Sequence, residues 1–294
     1  MERQEVTVSV AQDIQEAKAI AIETNERVGR IISAKRQDDV HTWLSPCDPS
    51  TNYNKALGVR HENSSQWFLE SPAYTSWRTQ PSSFLWLKGK PGCGKTIISA
   101  TAIENLQKTG SRTQTLLYFY FDFNNAAKQS LEDMVRSLVY QLYRQTPGVQ
   151  MPLDLLYSDC ESGKSQPSTD SLCTAFQRMM ELAGEVWIVL DALDECPTRE
   201  EPVGKGLLAW IQDLAKKDVH LLTTSRPEQD IESSITKLAQ AEDVISLQSD
   251  LVHPDICRYI RDRVRSHEAL SRWRGQPDVQ EEIESALMEK ADGM

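Results

Sequence analysis

The sequence predicts a three-layer α/β domain around a five-stranded parallel sheet, and two patterns carry that expectation. From Ser83 onward, short apolar runs recur at Phe84–Leu87, Thr115–Phe121, Val186–Leu190, Val219–Thr223 and Val244–Leu247, without the polar alternation of a half-solvated strand. Between them lie stretches of helical periodicity near Thr96–Thr109, Leu131–Gln145, Ser171–Leu182, Gly206–Lys216 and Glu228–Leu238. Strands buried on both faces and joined by right-handed helical crossovers make a sheet covered by helices on each side. Two further helices, Pro254–His267 and Val279–Lys290, follow the last strand.

The elements before the sheet divide at two breaks. Residues from Val10 to Ile32 place Val10, Ile14, Ala17, Ala21, Thr24, Val28 and Ile31 at alternating steps of four and three, among Glu, Gln, Lys and Arg. This predicts an amphipathic connector helix over residues 1–40. Alanines and a threonine make a weak seam for a coiled coil, so we expect the helix to pack on the domain that follows; the other reading is a connector to a partner. Pro46 and Pro49 then forbid a continuing helix. A Trp-rich lead-in segment over residues 41–82 carries a short helix near Asn52–Arg60, then Gln66–Leu69 and a turn from Ser71-Pro72. The predicted core spans residues 83–250, and residues 251–294 begin a helical lid.

Composition narrows the class. Of 294 residues, 39% are hydrophobic and 26% charged, values that support a packed core rather than disorder. A formal net charge of -11 argues against a nucleic-acid surface, which needs clustered Lys and Arg. The six cysteines show no metal-ligand spacing and no disulfide framework, which fits a reducing, cytoplasmic setting. Glu2 and Glu5 exclude a signal-peptide start, and no run reaches the length of a membrane span.

The chemistry concentrates at three strand ends. After Phe84-Leu85-Trp86-Leu87-Lys88 comes Gly89-Lys90-Pro91-Gly92-Cys93-Gly94-Lys95-Thr96, the G-x-x-x-x-G-K-[ST] pattern of a P-loop between a strand and a helix. Glycines let the backbone wrap a phosphate with its N–H groups exposed, and the following helix directs its positive end at the same anion. Lys95 is placed to neutralise the β- and γ-phosphates, and the Thr96 hydroxyl to ligate Mg²⁺. Next, Val186–Leu190 runs into Asp191-Ala192-Leu193-Asp194-Glu195-Cys196. That puts Asp191 at the carboxyl edge of a central strand, as a direct or second-sphere Mg²⁺ partner. Either Asp194 or Glu195 could orient or deprotonate an attacking water. The spacing does not separate them, and our reading takes Glu195 as water activator with Asp194 close to the metal. Finally, Val219–Thr223 leads to Thr224-Ser225-Arg226-Pro227, where a guanidinium can reach the γ-phosphate and report its presence.

With these motifs placed, the chain resembles the NACHT family of STAND signal-transducing P-loop NTPases, and more closely the fungal group with a nephrocystin-3-like N-terminal domain. The carrying residues are Trp43-Leu44-Ser45-Pro46, Asp48-Pro49-Ser50, Trp67-Phe68-Leu69, the run from Phe84 to Thr96, Leu190–Cys196 and Thr224–Pro227. The resemblance implies a strand order of 2-3-4-1-5, with the arginine strand between the two Walker strands. It also implies ATP or GTP with Mg²⁺, a switch from closed monomer to self-oligomer, and a part in fungal self/non-self recognition, heterokaryon incompatibility or programmed cell death. Relatives carry a Gly-Thr-Gly-like turn where this chain has Glu62–Gln66, and they continue past residue 294 into a winged-helix domain and repeats. We therefore expect a truncated product or an excised domain, separated from effector and repeat partners. Two functional readings follow: a slow regulatory NTPase, or an adaptor that binds nucleotide without turning it over. A motor-type AAA+ ATPase is disfavoured, since no second arginine motif can be placed to act across a subunit interface.

Overall fold

The computed structural model describes residues 2–61, 64–111, 114–200, 205–247 and 249–291. Five strands, β1 (Phe84–Lys88), β2 (Thr115–Tyr120), β3 (Val186–Asp191), β4 (Val219–Ser225) and β5 (Val244–Ser246), form one sheet in the order β2-β3-β4-β1-β5. Every pairing is parallel. The three-layer α/β architecture and its strand order are those the sequence and its resemblance led us to expect.

Side chains alternate across the sheet, so each strand feeds two cores. Phe84 and Trp86 of β1 join the face that carries α6 (Leu131–Gln145), α7 (Met151–Asp159), α8 (Thr169–Ala183) and α9 (Leu207–Leu214). Leu85 and Leu87 join the opposite face, built with α2 (Ser50–Val59), α4 (Pro72–Thr79) and α5 (Lys95–Thr109). The short helix α3 (Gln66–Leu69) adds Phe68 to this second core.

Helix starts follow their caps. The Ser130 hydroxyl accepts from the Asp133 amide at the head of α6, and Ser168 accepts from Ser171 at the head of α8. Ser71 caps α4, where Pro72 takes a first-turn position whose missing N–H costs nothing. Helix α7 was not foreseen. It is short, begins at Met151 with Pro152 in its first turn, and buries chiefly Pro152 and Leu153, too little periodicity to register in a sequence pattern.

The first helix departs from expectation. Helix α1 (Glu2–Leu44) is continuous across the whole predicted connector and beyond. It does not pack on the domain over most of its described length: Lys18 and Ile20 to Lys35 are exposed all round, with Ile20 and Ile31 each 60% accessible. The reason is compositional, since Glu23, Glu26, Arg27 and Arg30 interrupt any apolar face wide enough to be buried. Contact begins at Arg36, whose guanidinium binds Asp154 at 2.8 Å, and Val40, Trp43 and Leu44 enter the α6–α8 core. At the other end α11 (Ser249–Ser266) starts ahead of Pro254, which lies inside it, and α10 (Gln229–Ile235) and α12 (Pro277–Ala291) complete the helices.

Candidate functional site

The carboxyl ends of β1, β3 and β4 meet at one edge of the sheet, and the three predicted motifs meet with them. Gly89 follows β1, and its amide donates to the Ser225 carbonyl at 3.2 Å, tying the glycine loop to the end of β4. A Cβ at Gly89 would stand 2.5 Å from the Cys93 sulfur and 3.0 Å from Leu247 Cβ, so any side chain there would have to displace its neighbours. Gly92 and Gly94 hold left-handed backbones at φ 81° and 89°, which side-chain-bearing residues resist. The loop therefore closes as a backbone cradle, and α5 starts at Lys95 with no side-chain cap. Its first-turn N–H groups lack intrahelical acceptors and form an anion-seeking surface. The Lys95 ammonium lies over this cradle, donating to the Gly89 carbonyl at 2.7 Å and the Lys90 carbonyl at 2.9 Å.

Asp191 is the buried centre of the site, 2% exposed at the end of β3. Three hydroxyls donate to its carboxylate: Thr96 at 2.7 Å, Ser99 at 2.6 Å and Thr224 at 2.7 Å. Burial pushes its pKa up, while these hydroxyls and the nearby Lys95 charge pull the other way. Thr224 also accepts from the Ala192 amide at 2.9 Å, and Ala192 turns the chain in a left-handed conformation at φ 60°. Tyr120, paired in register with Asp191, has a buried hydroxyl with no hydrogen-bond partner among the described residues. A threonine hydroxyl and a carboxylate in contact are hard oxygen donors suited to Mg²⁺, which takes one or two carboxylates and completes its shell with water and phosphate. The residues present thus fit both a phosphate chain and its cation.

Sequence reasoning named Thr96 and Asp191 and missed Ser99 and Thr224. Ser99 carries a faint signal, three residues after Thr96 and so on the same helical face. Thr224 becomes visible only once β3 and β4 are known to pair, with Leu190 beside Thr223.

The remaining acids separate. Asp194, whose side chain is only 4% exposed, accepts from Arg226 twice: from its backbone amide and from Nε, each at 2.9 Å. Glu195 accepts from the Phe123 amide at 3.0 Å, on the loop after β2. Burial pushes the Glu195 pKa up, the Phe123 amide opposes it, and Asp194, Asp122 and Asp191 add to the rise. Arg199 anchors the turn between them, donating to the Asp194 and Cys196 carbonyls and pairing with Glu228 and Asp230.

Beside Gly92 and Gly94 opens a cavity of about 290 Å³ walled by Val59, Trp67, Ile97, Val252 and Ile256. Asp255 of α11 closes one side, its carboxylate accepting from the Ser65 amide at 2.7 Å and the Trp67 indole at 3.2 Å. Ser65 holds a left-handed backbone at φ 63°, within the segment where a glycine-bearing turn was noted as replaced. No helix of the described residues is long and apolar enough to cross a membrane.

Comparison with known proteins places this geometry. The family model described as Nephrocystin 3, N-terminal matches residues 63–226, a stretch that includes the glycine loop, Asp191 and Arg226. The vegetative incompatibility protein HET-E-1 of Podospora anserina is 24% identical over 221 residues, covering 71% of this chain and 16% of that protein. The chain thus spans about a sixth of the length of this curated relative. Because the family model covers more than half of the sequence, and the matched stretch carries the strand ends that build the site, the chain belongs to the nephrocystin 3 N-terminal family.

Proposed function

We propose that this domain binds ATP or GTP with Mg²⁺ at Gly89–Thr96 and works as a nucleotide-controlled switch of the NACHT/STAND class. The observation that supports it most is the convergence of Thr96, Ser99 and Thr224 on buried Asp191, directly behind a glycine cradle carrying Lys95. Three hydroxyls from α5 and β4 that share the one carboxylate of β3 lock the helix and two strands together behind the loop. A change at the phosphates is thereby felt by the sheet.

Within this reading Lys95 and the first-turn amides of α5 hold phosphate, and Thr96 and Asp191 hold the cation. A cation held there by Thr96 and Asp191 would supply neutralisation of the charge that develops at the phosphates. Glu195 is the water activator, since a carboxylate raised by burial is a stronger base than a free one. The cavity beside Gly94 takes the nucleoside, with residues 251–294 as the start of a lid over it. The name of HET-E-1 as a vegetative incompatibility protein supports a role in fungal self/non-self recognition. Effector and sensor partners, and self-association on activation, belong to the same proposal.

The test is thermal unfolding with MgATP and with MgGTP, alongside Lys95→Ala. A stabilisation of about 2.7 kcal/mol is expected at a hundredfold excess over Kd, absent in Lys95→Ala; wild-type curves that coincide with and without nucleotide reject nucleotide binding. Single-turnover hydrolysis then separates switch from adaptor. The enzymatic reading requires wild type to exceed both Glu195→Gln and Lys95→Ala, and a wild-type rate equal to Lys95→Ala leaves the adaptor.

A further inference from the structure

The pairing of Asp194 with Arg226 goes beyond a metal-side acid and a separate phosphate sensor. We infer that Asp194 is a positioning residue that sets how strongly Arg226 discriminates a nucleoside triphosphate from a diphosphate, by holding the guanidinium until a third phosphate competes for it. This inference rests on the nucleotide reading above.

Three features of the geometry carry it. First, Arg226 begins one residue after Ser225, whose carbonyl accepts from Gly89 at the start of the phosphate cradle and whose hydroxyl accepts from the Trp86 indole at 2.9 Å. The root of the arginine is therefore fixed against the loop. Second, the two partners differ in freedom. Asp194 sits on a turn whose carbonyl is gripped by Arg199, and Arg199 is itself tied to Glu228 and Asp230. The Arg226 side chain remains 43% exposed while Asp194 is 4% exposed. When the pair separates, it is the arginine that swings and the aspartate that stays. Third, the chemistry of the exchange is symmetrical. A guanidinium binds carboxylate and phosphate oxygens with the same fork, so a terminal phosphate can replace Asp194 on Nε without leaving Arg226 unpaired. The bond from the Arg226 amide to Asp194 at 2.9 Å does not depend on the side chain, so the aspartate also keeps a partner.

A diphosphate presents no outer group to draw the guanidinium away, and the pair persists. A triphosphate must displace the carboxylate, and the energy of that bond is subtracted from its binding. Asp194 thus lowers the preference for triphosphate that Arg226 alone would generate. It places the two bound states close enough in free energy for a switch to pass between them.

The experiment measures Kd for MgADP and for a non-hydrolysable MgATP analogue, with guanine counterparts, by isothermal titration on the full chain. Asp194→Asn keeps an oxygen for the Arg226 amide and removes the competing charge. The triphosphate-to-diphosphate affinity ratio should rise about tenfold, the size of one charge-assisted hydrogen bond. Arg226→Ala should abolish the preference, and Asp194→Asn/Arg226→Ala should match Arg226→Ala. Arg226→Ala stands as an independent arm if Asp194→Asn does not fold. An unchanged ratio in Asp194→Asn overturns the exchange while leaving nucleotide binding intact. A selective loss of triphosphate affinity in that variant assigns Asp194 to the metal and also overturns it. Wild type that binds neither nucleotide overturns the underlying reading instead.

Discussion

At the scale of single residues, Asp191 shows a functional group held against its own solvation. Its charge is buried, and hydroxyl donors from Thr96, Ser99 and Thr224 only partly offset the loss of water. Because the folded pKa lies above the unfolded one, the native state keeps its proton to higher pH than the unfolded chain does. The stability owed to Asp191 therefore falls as pH rises from the ordinary carboxylate range through the raised native value. Asp191→Asn removes that penalty while preserving shape. Its ligand-free form should be more stable than wild type by about 1 kcal/mol or more at neutral pH, with the gap narrowing as the solution is acidified. Chemical denaturation at several pH values measures this, and the same variant should lose its Mg²⁺-dependent nucleotide shift. An Asn variant less stable than wild type at neutral pH refutes the account. Asp191 was legible in the sequence because an apolar run ending in an acid is rare. Of its hydroxyl partners only Thr96 was, through the glycine-loop motif; Ser99 and Thr224 were not, because serine and threonine occur everywhere and only the pairing of β3 with β4 selects Thr224.

At the scale of elements, the turn after β3 and helix α10 are joined through Arg199. Asp230 is pulled below its usual pKa, first by its hydrogen bond to Arg199, with burial opposing and the Arg199 charge adding. A depressed carboxylate contributes stability above its unfolded pKa, and that contribution is lost as pH falls through the native value. Arg199→Met should thus destabilise by about 2 kcal/mol at neutral pH, discounted for the partial exposure of both acids. The loss should shrink in strong acid to what the Arg199 bonds to the Asp194 and Cys196 carbonyls contribute. Denaturation curves at neutral pH and near pH 3 decide it: a difference that persists unchanged in acid would mean the arginine acts through packing and its carbonyl bonds, not through the two acids. This tie was invisible in the sequence, since Arg199 lies in an irregular turn and meets α10 only through tertiary contact. Strands and long helices were legible for the opposite reason, each being specified by local periodicity. Helix α7 was not, because Pro152 and Leu153 are its fully buried residues.

At the scale of the whole molecule, two elements stand at opposite extremes of attachment. The sheet is sealed between its two cores, whereas α1, over its described side chains, is rooted by its last turns. Trp43 packs edge-on against Tyr157 at 5.1 Å and its indole donates to the Ser165 carbonyl at 2.8 Å. Trp43→Ala should cost about 3–5 kcal/mol, and Ile31→Gln less than about 0.5 kcal/mol, since Ile31 buries little. Urea melts of the two variants test the contrast, and a large loss in Ile31→Gln would show that the exposed stretch is covered in solution. The heptad-like seam disclosed that a helix was there, but not where it leaves the surface, because charged residues at the root are read only through partners such as Asp154. This geometry makes α1 a lever with a short fulcrum. From Lys18 to Thr42 the helix rises about 36 Å, so a tilt of only about 5° where Trp43 and Arg36 grip the α6–α8 layer displaces Lys18 by about 3 Å. Angstrom-scale repacking beneath the sheet would emerge at the far end of the rod as a displacement as wide as an atom.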